Sequence, residues 1–307
     1  MVAKILDNIS KVMVGKDDVS KLLLTAMLAG GHVLIEDVPG VGKTTVANAL
    51  ARTVDCKFTR IQFTPDTMPS DITGSSIYNY EKHLFEYVEG AIMSNIILAD
   101  EINRTSPKTQ ASLLEAMEEG RVTVDGKTYE LPRPFMVIAT QNPIMQRGTY
   151  YLPESQLDRF MMKINMGYPE KAQEVQIVKN MIAGVEVSQI QKIINVDELS
   201  QLKSKSQEVL INDRLIEYAA ECVDRTRKDE RVQLGASPRA LLAWVRAAKA
   251  YAFVEGREYV TPDDLKFLSS YVLAHRLTLA QHSSKETNRE TDIIKEVMRK
   301  VKVPVGK

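Results

Sequence analysis

The stretch EDVPGVGKTT occupies residues 36–45, directly after the apolar run HVLIE and directly before the helical segment KTTVANALARTV. A glycine-rich loop between a strand and a helix directs backbone N–H groups at one point, which favours phosphate binding. The lysine adds a charge for the outer phosphates, and the hydroxyl of Thr44 is a ligand for Mg²⁺. The predicted nucleotide-binding residues here are Pro39, Gly40, Val41, Gly42, Lys43, Thr44 and Thr45.

The loop departs from the general pattern GxxxxGKT at its first position, where this chain has Asp37. The glycines nearest the phosphates are kept, so the departure concerns the shape at the start of the loop more than its function. A plain glycine turn between strand and helix is the alternative interpretation, and the strand–loop–helix context argues against it.

An acidic pair, Asp100 and Glu101, ends the apolar run NIILADE. In nucleotide hydrolysis one such carboxylate holds Mg²⁺ and the next orients and deprotonates the attacking water. Acidic residues also close strands and cap helices, so the pair carries weight only because a phosphate loop precedes it. We therefore assign Asp100 to the metal, assign Glu101 to catalysis, and predict ATP and Mg²⁺ as cofactors.

Asn142 follows the apolar strand PFMVIAT, and its amide is a candidate for positioning water near the γ-phosphate. An ordinary Asn-Pro turn is the alternative. Arg104, Arg159 and Arg239 are candidate phosphate contacts, because guanidinium is a planar, permanently charged fork. A surface ion pair is the alternative for each arginine, and for Arg104 the two interpretations stay open.

Five short apolar runs alternate with helical segments in the first half of the chain, which predicts a parallel sheet covered by helices on both faces. The runs are 32–36, 58–63, 95–100, 134–140 and 161–166. Two segments interrupt this pattern, 67–90 and 121–131, and both are predicted to contain β-hairpins. From residue 170 onward the pattern is of amphipathic helices without strand runs, so we predict a core domain at 1–169 and an all-helical domain at 170–307.

Composition narrows the class of protein. The 307 residues carry 40 basic and 40 acidic side chains, so no global field attracts nucleic acid or anionic lipid. Cys56 and Cys222 lie outside any disulfide or zinc pattern, which fits a reducing compartment. The N-terminus has no apolar core of signal-peptide length, and no run reaches the ~20 residues of a spanning helix. We expect a soluble, cytoplasmic protein.

With these motifs the chain resembles the MoxR family of AAA+ ATPases over nearly its full length. The phrases that carry the resemblance are VMVGKDDV, GHVLIEDVPGVGKTT, TPDTMPSDITGS, LADEINRTSPKTQASLLEAMEEGRVTV, ATQNP, LPESQLDRF and GASPRALL. The resemblance implies that Asn142 is the sensor-one residue and that Arg159 is an arginine finger acting on a neighbouring subunit. It also implies that Arg239 is the sensor-two arginine and that Val14 and Gly15 touch the adenine.

The same resemblance implies an α/β fold with strand order 5-1-4-3-2, hairpin inserts and a helical lid. It implies a homo-oligomeric ring, expected to be a hexamer, whose hairpins point toward the pore and contact a client. MoxR-like proteins resemble chaperones that assemble or activate partners, and metalloenzymes and von Willebrand factor A domain proteins are the candidate clients.

Two other functions compete with this one. A nucleic-acid or metal-chelatase-type motor is suggested by the kinship of the hairpins, yet the hairpin tips at 80–82 and 125–127 hold little positive charge for nucleic acid. A small-molecule kinase uses the same phosphate loop, but Glu101 stands in the water-activating position. We therefore predict nucleic acid to be an improbable partner and membrane insertion to be absent.

Overall fold

The computed structural model describes residues 1–142, 149–280 and 289–304. The chain divides into two compact units. The first contains residues 1–20, 32–152 and 164–200, and the second contains 21–31, 153–163 and 201–307. Division into domains at 1–169 and 170–307 stays a prediction.

Five strands form the main sheet, and each is short and apolar. They are β1 (Val33–Glu36), β2 (Phe58–Gln62), β5 (Ile96–Asp100), β8 (Met136–Gln141) and β9 (Met162–Ile164). Their order is β2-β5-β8-β1-β9, and β2 pairs with β5, β5 with β8 and β8 with β1 in parallel. The predicted parallel sheet and its strand order are thereby confirmed. Residues 96–99 of β5 are completely buried, as expected of a strand covered on both faces.

The helices run from α1 to α12 in chain order. They are α1 (Val2–Ser10), α2 (Asp17–Ala29), α3 (Lys43–Thr53), α4 (Pro69–Thr73), α5 (Pro107–Glu119), α6 (Glu154–Leu157), α7 (Lys171–Ile182), α8 (Val196–Glu208), α9 (Asp213–Lys228), α10 (Pro238–Val254), α11 (Pro262–Leu273) and α12 (Glu290–Lys300). Helices α5, α10 and α11 begin after the N-caps Ser106, Ser237 and Thr261, and each of these hydroxyls accepts a hydrogen bond from the backbone N–H three residues on. These hydroxyls accept hydrogen bonds from backbone N–H groups that have no partner within the first turn of the helix. The proline that follows each cap has no N–H, so it adds no unpaired donor there.

Both predicted hairpins form. Strands β3 (Gly74–Asn79) and β4 (Leu84–Glu89) pair antiparallel, as do β6 (Arg121–Val124) and β7 (Lys127–Glu130). A ring contact joins the two hairpins, since Tyr87 of β4 stacks on Tyr129 of β7 with ring centroids 4.0 Å apart. The hairpins therefore touch through their aromatic faces, a contact that the sequence did not predict.

From residue 170 onward the described chain is mainly helical, as predicted, with one addition. Trp244 of α10 is completely buried and donates its indole N–H to Leu265 O of α11 at 3.0 Å. The addition is a small antiparallel pair of strands, β10 (Val232–Leu234) and β11 (Thr278–Leu279). Strands of two or three residues are too short to show the alternation by which a strand is identified in sequence.

Among the described residues, no helix combines the length and the apolarity needed to cross a bilayer.

Candidate functional site

The phosphate loop connects β1 to α3, which begins at Lys43. Gly40 and Gly42 have φ angles of 88° and 96°, in the left-handed region that favours glycine. Around Gly40 there is open space, so the backbone angle and not crowding demands glycine there. The loop thus takes the conformation that presents backbone N–H groups at the start of α3.

Asp37, the residue that departs from the general pattern, has a structural role. Its carboxylate accepts hydrogen bonds from the N–H groups of Met166 and Gly167, at 2.7 and 2.6 Å. Lys16, buried nearby, donates to the carbonyl oxygens of the same two residues at 2.6 and 3.1 Å. The start of the loop is therefore fixed by a side chain that a glycine could not supply.

Lys43 points across the loop and donates to Asp37 O at 2.7 Å. Burial lowers the pKa of Lys43, and the nearby carboxylates Asp100, Asp37 and Glu101 oppose that shift. A partly desolvated cation is attracted more strongly to phosphate oxygens than one in water.

The phosphate loop and both acidic residues line one cleft of about 470 Å³. Its lining residues are Pro39, Gly40, Gly42, Lys43, Thr44, Thr45, Arg60, Gln62, Asp100, Glu101 and Asn142. Three separate parts of the sequence that were assigned to one site thus meet, because the carboxyl ends of β1, β5 and β8 lie at one edge of the sheet. Pro143, which follows Asn142, lies outside the described residues.

The cleft contains oxygen donors suited to Mg²⁺, namely the Thr44 hydroxyl and the Asp100 carboxylate. Within the described ranges, no group of three or more His, Cys, Asp and Glu side chains could hold a metal ion. Mg²⁺ bound beside phosphates needs only one or two carboxylates and keeps several waters. The residues present therefore fit Mg²⁺ bound together with a nucleotide.

Asp100 has a partner on each oxygen. The hydroxyl of the buried Thr140 donates to Oδ1 at 2.6 Å, and the guanidinium of Arg60 donates to Oδ2 at 2.6 Å from Nη2 and 3.2 Å from Nε. Thr140 belongs to β8 and Arg60 to β2, the two neighbours of β5. The carboxylate is thus oriented from both sides of its own strand.

Glu101 has a φ of 58°, uncommon for a residue with a side chain. Its N–H donates to Thr140 Oγ1 at 2.9 Å, and its Oε2 accepts from Gln62 Nε2 and from Arg104 Nη1, each at 3.0 Å. For Arg104 the structure therefore shows an ion pair with Glu101. Backbone strain of this kind gathers at functional sites.

Sequence reasoning missed Arg60 and Gln62. The available signal was the alternation in FTRIQF, which places both polar side chains on one face of β2. Their proximity to the acidic pair depends on the pairing of β2 with β5, in which Gln62 lies opposite Asp100.

Three predicted nucleotide contacts do not line this cleft. Val41 is buried, and Val14 and Gly15 lie in the turn after Met13, whose side chain approaches Gly42. The proposed adenine contact of Val14 and Gly15 stays a prediction.

Arg159 and Arg239 belong to the second unit. Arg239 is exposed in the first turn of α10. Arg159 follows α6, and hydrogen bonds fix the backbone of the next residue. Phe160 O accepts from His275 Nε2 at 3.0 Å and from Arg276 Nη2 at 2.9 Å.

The two residues that hold this backbone are both buried. Arg276 Nε lies 3.2 Å from Asp158 Oδ1, and Arg276 Nη2 donates to Asp158 O at 3.2 Å. Burial lowers the pKa of His275 to about 3, and burial lowers the pKa of Arg276 to about 10. The backbone on either side of Arg159 is thus fixed by buried polar groups.

Comparison with known proteins agrees with this geometry. The family model "ATPase family associated with various cellular activities (AAA)" matches residues 32–162, and the model "AAA lid domain" matches residues 224–297. The uncharacterized Bacillus subtilis protein YeaC is 50% identical over 305 residues, which cover 99% of this chain and 95% of YeaC. The chaperone MoxR1 of Mycobacterium tuberculosis is 40% identical over 96% of this chain and 80% of its own length. A crystal structure of a protein from Cytophaga hutchinsonii superposes with a TM-score of 0.93 at 40% identity, covering 99% of this chain and 95% of that one.

Proposed function

Because this chain belongs to the MoxR family of AAA+ ATPases, we propose that it binds ATP with Mg²⁺ and hydrolyses it to ADP and phosphate. The observation that carries the proposal is the single cleft in which Lys43 and Thr44 face Asp100 and Glu101. Phosphoryl transfer to water needs positioned phosphates, neutralised charge and an oriented water, and the cleft holds a residue suited to each task.

Each residue has a distinct part in this reaction. The backbone N–H groups of the phosphate loop and the Lys43 ammonium bind the phosphate oxygens, while Thr44 and Asp100 are the residues that would hold the metal. Mg²⁺, when bound, neutralises charge on the phosphates. Glu101 orients the attacking water and accepts its proton, and the Asn142 amide fixes that water near the γ-phosphate.

The catalytic cycle is proposed to operate in a homo-oligomeric ring, with the hexamer as the expected size. Arg159 is the arginine finger that acts on the ATP of a neighbouring subunit, and Arg239 reports nucleotide state through the lid. The support is the family resemblance of the two motifs together with the rigid anchoring of the backbone on either side of Arg159. A finger must be held in place to stabilise charge in the transition state.

The proposed output of the cycle is the remodelling of partner proteins. The chaperone MoxR1 supports this role, and so does the exposed apolar surface of the β3–β4 hairpin, where Ile77, Tyr80 and Phe85 are 56%, 82% and 67% exposed. Such a surface suits contact with unfolded or loosely folded chain. Metalloenzymes and von Willebrand factor A domain proteins are the proposed clients.

The decisive experiment replaces Glu101 by Gln. This variant should bind ATP with the parent's affinity in calorimetry and release phosphate about 10² to 10⁴ times more slowly, because only water activation is lost. Glu115→Gln, which removes an exposed carboxylate from α5, is the matched control. Phosphate release by Glu101→Gln at the parent's rate would contradict the assignment.

A further inference from the structure

We infer that Arg60 is a displaceable cation on Asp100, which occupies the carboxylate oxygen that Mg²⁺ requires and thereby sets the Mg²⁺ concentration at which nucleotide binds tightly. This inference rests on the proposed function, since it concerns the metal that accompanies ATP. Neither the sequence motifs nor the family resemblance gave Arg60 a role.

The geometry places Arg60 in direct competition for one atom. Two nitrogens of its guanidinium donate to Asp100 Oδ2, while Oδ1 is engaged by the buried Thr140. Oδ1 accepts one hydrogen bond, whereas the two nitrogens of Arg60 occupy both acceptor sites of Oδ2, so a metal ion or a water of its shell reaches Oδ2 only when Arg60 withdraws. A guanidinium and a metal with its water shell cannot share that position.

The exposure of the pair shows which interaction can give way. The Arg60 side chain is 46% exposed and that of Asp100 is 13% exposed. Ion pairs of an exposed arginine contribute little stability, because water compensates the cation when the partner leaves. Thr140, by contrast, is completely buried and stays on Oδ1. Arg60 can thus withdraw into solvent while Asp100 keeps its orientation.

Arg60 has a second consequence when no metal is bound. The cleft then contains two adjacent carboxylates, Asp100 and Glu101, which repel the phosphates of an incoming nucleotide. Arg60 offsets the charge of Asp100 in that state. Its removal should therefore weaken metal-free nucleotide binding and, at the same time, make Asp100 more available to Mg²⁺.

The test measures binding of adenylyl imidodiphosphate, an ATP analogue that is not hydrolysed, across a Mg²⁺ titration that starts in EDTA. For Arg60→Gln we expect weaker binding in EDTA and a Mg²⁺ midpoint lower by about fivefold, the factor that corresponds to a surface ion pair at its upper limit. Arg60→Lys keeps the charge but loses the two-nitrogen contact, so its midpoint should lie between those of the parent and Arg60→Gln.

Lys57→Gln is the matched control, because Lys57 precedes β2 and donates to Met93 O at 2.8 Å, away from the acidic pair. Its midpoint should equal the parent's. Equal weakening by Arg60→Gln with and without Mg²⁺, or a midpoint that rises, would overturn the inference. If Arg60→Gln does not fold, the Arg60→Lys midpoint decides alone. A parent protein that binds no analogue at any Mg²⁺ concentration would instead defeat the proposed function.

Discussion

The nucleotide cleft and the segment that carries Arg159 both depend on arginine, and they use it in opposite ways. In the cleft, Arg60 and Arg104 pair with Asp100 and Glu101 while each arginine side chain is 46% exposed. In the segment that carries Arg159, the side chain of Arg276 is only 3% exposed and donates to the backbone carbonyl groups of Asp158 and Phe160. Exposed pairs can exchange partners during a cycle, whereas a buried arginine fixes a backbone.

The largest expected effect tests whether the fixed segment serves another subunit's cleft. Arg159→Ala should bind ATP and hydrolyse it roughly 10³ to 10⁵ times more slowly, the range that arginine fingers contribute. Lys43→Ala should also be inactive, because its phosphate loop lacks the cation. Mixing the two variants should restore measurable phosphate release, since some interfaces then join an intact loop to an intact finger.

Dilution below the assembly concentration should abolish the restored activity. If subunits demonstrably mix within rings and no activity returns, Arg159 does not act between subunits. Full activity of Arg159→Ala alone would remove the finger assignment.

The next prediction compares how much Arg276 and Arg60 each contribute to the free energy of unfolding. Arg276→Met should lower the free energy of unfolding by about 3 kcal/mol, because Asp158 and two carbonyl oxygens lose a buried partner. Arg60→Met should lower it by less than about 1 kcal/mol. Urea unfolding of both variants measures the difference, and equal losses would contradict the contrast between the two regions.

A third effect concerns pH and the buried His275. Its pKa in the folded protein is about 3, below the ordinary value of 6.5, so the unfolded chain binds a proton first as the pH falls. Stability from this residue is complete above pH 6.5 and is lost on acidification, by about 2 kcal/mol between pH 7 and pH 5. Unfolding of His275→Gln at both pH values is the reference, because glutamine does not titrate. A parent and variant with the same pH dependence would refute this origin.

The smallest effect belongs to Arg104. Because its ion pair with Glu101 is exposed, Arg104→Gln should change the rate of ATP hydrolysis by less than about fivefold and leave the unfolding midpoint unchanged. Steady-state phosphate release measures the rate. A loss of a hundredfold or more would show that Arg104 contacts the nucleotide or the transition state.

The parts of the fold that could be predicted from sequence are those with local causes. The apolar run of β5, the cap at Ser106 and the hairpin turn at Asp125 can each be identified from a few consecutive residues. The phosphate loop and the acidic pair were likewise found as short motifs, and the parallel sheet brings them together.

The features that sequence reasoning missed depend on distant pairs. Arg60 meets Asp100 only through the register of β2 on β5, and His275 meets Phe160 across 115 positions of the chain. Asp37 was identified as a departure from the loop pattern, but its structural role could be recognised only once the position of Met166 was known. A sequence motif therefore identifies the residues of the site itself. The residues that orient them, such as Arg60 and Met166, are identified only from the tertiary structure.

The stacked rings of Tyr87 and Tyr129 have a mechanical consequence. Two hairpins that the sequence presents as separate insertions share one aromatic contact, so a load applied to either is distributed over both. The β3–β4 hairpin directly follows the five-residue helix α4, and the β6–β7 hairpin directly follows the 13-residue helix α5. A displacement of either insertion therefore has to break this stacking or carry the ring of the other insertion with it.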